Sequence, residues 1–238
     1  MEATIGSDYM PKRLSRPSEY AYEDGCRPLG KFAGVLSVTL LVYAIVSVLL
    51  ALALSYTFVD ARMLDEYAFE DATDDDYLLI IASSLVFLLY VAERALFIIC
   101  AFTVARFSYR AMRNLYTVRS TVPDMSPGAT VYWYFVPIAT WFLPAKGMSE
   151  IHQGSIEETG ALNTSSLLSW WWGTWLGMSI LSTVSNFMGR TDPIMSVAVG
   201  IVSIVLGAVS AFFLRKLVRR IRAAQDQFSQ GNLAETFA

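Results

Sequence analysis

The chain has 238 residues, of which 55% are hydrophobic and only 16% charged, with a mean hydropathy of +0.45 and a formal net charge of −3. Where about 25% charged residues is usual, so small a fraction excludes an ordinary soluble domain and makes an integral membrane protein the default class. The small total conceals a strong segregation of signs along the chain, which bears on topology and gives no reason to expect a nucleic-acid partner.

Residues 1–31 form a polar arm broken by Pro11, Pro17 and Pro28, with Lys12, Arg13, Arg16, Arg27 and Lys31 as its cations. It has no apolar core of its own and is expected to lie against something else. The first apolar run begins near Phe32 and is about twice as long as an h-region of roughly 7 to 15 residues, so a cleaved signal peptide is not expected. Cys26 lies in the arm and Cys100 inside an apolar run, so they read as free thiols.

Residues 32–59 are apolar for longer than the roughly 20 residues a crossing needs, and form the first predicted span. Ser47, Ala51 and Ser55 make a small-residue stripe on it, where a second helix can approach closely. Residues 60–76 carry eight acidic side chains against Arg62 and read as a solvated loop without calcium-loop spacing.

The second span, 77–104, has Glu93 and Arg94 near its middle. Charges there cost about 2.5 to 3.5 kcal/mol each on insertion scales, so a role is expected for them. Neighbours on a helix point about 100° apart, and the pair is therefore expected to seek partners on other helices or a path to water. The functional reading is an intramembrane polar site; the bland one is an interhelical lock or snorkelling.

Arg106, Arg110, Arg113 and Arg119 follow at helical spacings and mark a cytoplasmic face. Ser126 and Pro127 suit a helix start. The apolar stretch 129–143 is short, and Pro137 interrupts it, so a Pro-broken or re-entrant segment buried among other helices is predicted. Pro144 opens a polar helix on which Met148 and Ile151 share a face, with Glu150 and His152 read as surface groups.

The third span, 167–188, begins with Trp170, Trp171, Trp172 and Trp175; three consecutive indoles surround the helix, so at least one must face protein. Gly173 and Gly177 form a Gly-x-x-x-Gly pair for close packing. The last span, 194–214, carries the stripe Ser203, Gly207 and Ala211, and its helix is expected to continue as a basic amphipathic tail, 215–238, suited to anionic membrane lipids.

With these four crossings, fifteen Lys and Arg side chains lie on one side and only Arg62 and Arg190 on the other, which places both termini in the cytoplasm. The predicted fold is all-α integral membrane: an arm (1–31), a membrane domain (32–214) and the tail. The sequon Asn163-Thr164-Ser165 is then cytoplasmic and unused.

No phosphate loop, zinc-protease motif or nucleophile elbow is present, and a single histidine excludes bis-His haem ligation. No catalytic, metal or cofactor residues are expected, and the chain reads as a non-enzyme. The runs SYRAMRNL, SPGATVYWYFVPIATWFLP, MSEI and LLSWWWGTW resemble the bacterial membrane-protein family catalogued as domain-of-unknown-function family 4328. Arg110, Asn114, Ser126, Pro127, Gly128, Trp133, Pro137, Pro144, Glu150, Trp171 and Trp172 carry the resemblance; Thr140, Ala145 and His152 depart from it.

The resemblance implies a multi-span protein of the bacterial inner membrane and no activity. The function expected first is a non-enzymatic accessory or scaffold subunit packing on another membrane protein or a second copy; the alternative is a small channel or carrier built on Glu93 and Arg94.

Overall fold

A computed structural model describes residues 19–64, 74–118, 123–159 and 165–236. The arm before residue 19, residues 65–73 of the acidic stretch, Arg119 and the Asn163-Thr164 part of the sequon lie outside the described residues. The described residues are helical with no strand among them: α1 (Gly30–Leu64), α2 (Asp74–Val118), α3 (Ala129–Tyr132), a 3₁₀ turn (Ile138–Trp141), α4 (Leu143–Thr159), α5 (Ser165–Met188) and α6 (Pro193–Thr236). Three of these helices are long and apolar enough to cross a membrane, over Gly30–Tyr56, Ile81–Val118 and Pro193–Gln227.

The helices outrun the predicted spans. α1 continues to Leu64 and α2 begins at Asp74, so the acidic stretch is partly helix rather than all loop. The aliphatic side chains of the spans do not set the helix ends, because charged residues propagate a helix well once it is nucleated. α5 is 24 residues without a charge, but its tryptophans, serines and threonines keep it out of the three most apolar helices.

Contacts divide the chain into two compact units that cut across the expected arm, membrane domain and tail. The first comprises Met1–Ala33, Ala105–Asn163 and Arg219–Ala238; the second comprises Gly34–Val104 and Thr164–Val218.

In the second unit, Leu50 and Ala51 of α1 pack with Ile204 of α6, flanked by Val86 and Leu89 of α2. Thr39 and Thr103 bring their hydroxyls to 3.4 Å between α1 and α2. α5 and α6 form a hairpin in which Asp192 accepts from the Met195 N–H at 2.9 Å, capping α6 ahead of Pro193. Ser185 and Ser196 exchange hydroxyl-to-carbonyl bonds of 2.9 and 2.8 Å across it.

In the first unit, the arm turns at Gly25, whose φ of 82° is left-handed and suits glycine. The turn carries Arg27 back to α2, where the Asn114 side chain accepts from its N–H at 3.1 Å and donates to its carbonyl at 2.9 Å. Thr117 accepts from the Tyr22 N–H at 3.0 Å, and Arg113 donates to the Tyr20 carbonyl at 2.9 Å. The described part of the arm is thus held by its own chain.

The 129–143 segment is broken as predicted, since Pro137 has no N–H and stands between α3 and the 3₁₀ turn with ψ near −90°. It is not a buried wedge. Ile138 is 82% exposed and Phe142 65%, and Tyr132, Phe135 and Trp141 are also exposed. Ser126 does accept from the Ala129 N–H at 3.3 Å, as the predicted cap requires.

Candidate functional site

Glu93 and Arg94 stand together in the second unit. Glu93 is 1% exposed, and its Oε2 lies 2.6 Å from Arg94 Nε. The expectation that neighbours on one helix cannot neutralise one another is corrected here. Their Cα–Cβ bonds diverge, but the guanidinium sits on a long stem that folds back across the carboxylate. The N–H is not aimed well enough for a hydrogen bond, so the contact is a charge pair. Arg94 also lies over the Tyr90 ring, 5.4 Å from its centroid.

The pair opens onto a cavity of about 150 Å³ whose walls include Tyr43 of α1, Met178, Ser179 and Ser182 of α5, and Ser203 of α6. That is room for a few waters at roughly 30 Å³ each. The Tyr43 hydroxyl points to Met178 Sδ at 3.9 Å and adjoins the Glu93 carboxylate. A carboxylate, a phenol, a thioether and several hydroxyls facing one small space can hold a cation or hydrate a polar solute.

The small-residue stripes supply the close approaches that build this unit. Ser203 donates to the Met178 carbonyl at 2.9 Å, and a Cβ at Gly207 would stand 2.7 Å from Tyr43 Oη and 3.0 Å from Met178 Sδ. A Cβ at Gly177 would meet Leu206 at 3.1 Å, whereas Gly173 has nothing within 4 Å, so only half of the predicted glycine pair packs. Ala211, Ser47 and Ala51 are buried, and the half-buried Ser55 bonds back to the Ala51 carbonyl.

Trp171 is the indole that faces protein, at 3% exposed, while Trp170 is 61% exposed and Trp172 stacks on Trp175 with centroids 4.7 Å apart.

A separate polar knot lies in the first unit. Asn114 Nδ2 donates to Gln225 Oε1 at 3.0 Å; Gln225 Nε2 donates to the Ala111 carbonyl at 3.1 Å and the Ser155 hydroxyl at 2.9 Å. Met148 and Ile151 share the buried face of α4, as predicted, but His152 is buried beside them rather than at the surface. Burial and the Arg220 charge push the His152 pKa below its ordinary value.

Glu150 is largely buried too: its carboxylate accepts from the Met125 N–H at 3.0 Å. Burial raises its pKa, while that bond and Lys146 hold it back. Of the remaining motif residues, Pro144 lies buried in the first turn of α4, Trp133 packs edge-on to Tyr132, and Arg110 lies 5.1 Å from the Phe32 ring centroid.

Among the described residues, no group of three or more potential ligands is placed to hold a metal. Sequence reasoning missed Tyr43, Met178, Ser179 and Ser182 as cavity residues; a phenol and paired hydroxyls inside apolar runs were the available signal.

The described residues thus define an all-helical protein with three helices long and apolar enough to cross a membrane. The chain belongs to the family described as a domain of unknown function, DUF4328, which matches residues 70–223. No curated protein and no solved structure matches it.

Proposed function

We propose that the chain is a non-enzymatic, multi-pass protein of the bacterial inner membrane, with α1, α2, α5 and α6 crossing and both termini cytoplasmic. Its second unit works as a small channel or carrier for a cation or small polar solute. The observation that carries this reading is Glu93: a nearly inaccessible carboxylate, paired to Arg94, on the wall of a hydroxyl-lined cavity inside apolar helices. An arriving cation would compete with the Arg94 guanidinium for the carboxylate, and the side-chain hydroxyls would replace part of its hydration.

The test is flux in proteoliposomes holding the full chain, with proton, sodium and potassium gradients followed by dyes. The expected result is flux above that of empty vesicles for at least one of them, reduced tenfold or more by Glu93→Gln. Vesicles no more permeable than empty ones, or unaffected by Glu93→Gln, would refute it.

The accessory-subunit reading draws on one feature, the open Gly173 side of α5 next to exposed Trp170, where a helix of another membrane protein or a second copy could approach. The other stripes are already occupied within the chain. Gly173→Leu should abolish co-purification of such a partner while leaving cation flux unchanged.

A further inference from the structure

The balance of donors and acceptors around the Glu93 cavity narrows what it can take. The Ser179 hydroxyl gives its hydrogen to the Trp175 carbonyl at 2.9 Å, and the Ser203 hydroxyl gives its own to the Met178 carbonyl at 2.9 Å. Each oxygen keeps only lone pairs for the space it lines. Glu93 Oε2 is closed to solvent and receives no hydrogen bond. A buried carboxylate oxygen and two hydroxyl oxygens that can only accept suit a cation, and would meet an incoming carbonyl or carboxylate with like charge.

Charge sets the valence. Glu93 and Arg94 together are neutral, and adding net charge among apolar helices is costly. The two side chains differ in freedom, since Glu93 is 1% exposed and Arg94 44%. The guanidinium can swing outward while the carboxylate stays, so one positive charge can replace another at Glu93 and leave the total there unchanged. A divalent ion making the same exchange would carry one charge too many, because no second carboxylate stands among the described residues of the wall.

Size points the same way. The volume of about 150 Å³ is that of about five waters at roughly 30 Å³ each. A magnesium ion holding its octahedral water shell asks for more room, and Phe97 and Ile204 offer it no ligand. A proton would need neither the space nor the hydroxyls, whereas an alkali ion uses both, its lost waters replaced by fixed oxygens.

We propose that this cavity binds a single, partly dehydrated alkali cation, sodium or potassium, which takes the place of the Arg94 guanidinium on Glu93 with Ser179 and Ser203 as neutral oxygen ligands. The proposal rests on the transport reading above, the bound ion being the one carried.

The experiment uses the full chain in detergent, in sodium, potassium, magnesium or choline chloride at equal ionic strength. Binding is read by thermal unfolding and by equilibrium dialysis of radioactive sodium and rubidium. Sodium or potassium is expected to raise the unfolding temperature above its value in choline, and magnesium to leave it there. Glu93→Gln should abolish the shift, and Ser179→Ala with Ser203→Ala should weaken binding about tenfold or more. Thr174→Ala, which removes a hydroxyl bonded to the Trp170 carbonyl away from the cavity wall, should leave binding unchanged. Arg94→Leu, which has lost its tethered cation, should gain more from the alkali ion than the wild type does.

A wild-type chain that responds to neither sodium nor potassium overturns the proposal, as does a Glu93→Gln variant that responds like wild type, or magnesium acting as strongly as the alkali ions. Proton flux in vesicles without an alkali response overturns it while leaving the transport reading intact. An alkali response lost in Glu93→Gln, from a chain that gives no flux, supports the site and refutes transport.

Discussion

Replacing Asn114 by alanine tests whether one side chain holds the arm. Asn114 is 1% exposed and makes three bonds, to the Arg27 N–H, the Arg27 carbonyl and the Gln225 carbonyl oxygen, at 3.1, 2.9 and 3.0 Å. Water can reach the partly buried Arg27 groups once the arm lifts, so their loss costs about 1 to 2 kcal/mol together. The Gln225 oxygen is buried and would be orphaned, for about 1 to 3 kcal/mol more, charged to the unit rather than to the arm. A loss of about 1 to 2 kcal/mol raises the open population of the arm roughly 5- to 30-fold. Amide hydrogen exchange of peptides covering residues 20–29, in detergent, reads this directly. The reasoning is refuted if Asn114→Ala remains fully helical and those peptides exchange at the wild-type rate.

Three further outcomes follow from the same geometry. Arg94→Leu strands the Glu93 carboxylate and should cost about 3 to 5 kcal/mol of stability, whereas the double change to leucine at both positions should recover most of it; thermal unfolding in detergent distinguishes the two. Gly207→Ala forces Tyr43 and Met178 aside at about 1 to 3 kcal/mol, while Gly173→Ala meets nothing and should be neutral or stabilising by up to about 1 kcal/mol.

The third concerns His152. Its folded pKa is lowered, so stability is fully present above the ordinary value of 6.5 and is lost as pH falls towards the folded value, where the unfolded chain binds the proton first. Glu150 acts in the opposite sense, its raised pKa meaning that acid relieves a charged, buried group. The comparison is therefore between wild type and His152→Phe, and the variant should show a shallower loss of stability between pH 7 and 5. A variant with the same slope as wild type would show that His152 contributes nothing to it.

Much of the helix layout was readable because it depends on local composition. The apolar runs gave α1, α2 and α6, Pro137 gave the break, and the Ser-Pro start and the short turn before Pro193 set their neighbours. The consecutive tryptophans required an inward-facing indole, which is Trp171. The partner of each polar group was not readable, because it depends on which helices meet. Asn114 and Gln225 are 111 residues apart and only folding brings them together. His152 and Glu150 looked like surface groups because their spacing on α4 says nothing of what packs on either side. Gly173 and Gly177 share one motif, yet Leu206 fills the space beside only one of them. Glu93 and Arg94 were misjudged for a different reason: bond directions at Cβ set where a short side chain goes, and a long one can return.

That return has a bearing on how the protein is made. Because both charges sit on successive residues of α2, they can neutralise each other the moment that helix forms, before any later segment has emerged from the ribosome. The translocon would then meet a dipolar pair instead of two separate ions, and α2 could be released into lipid without waiting for α5 or α6 to shelter it.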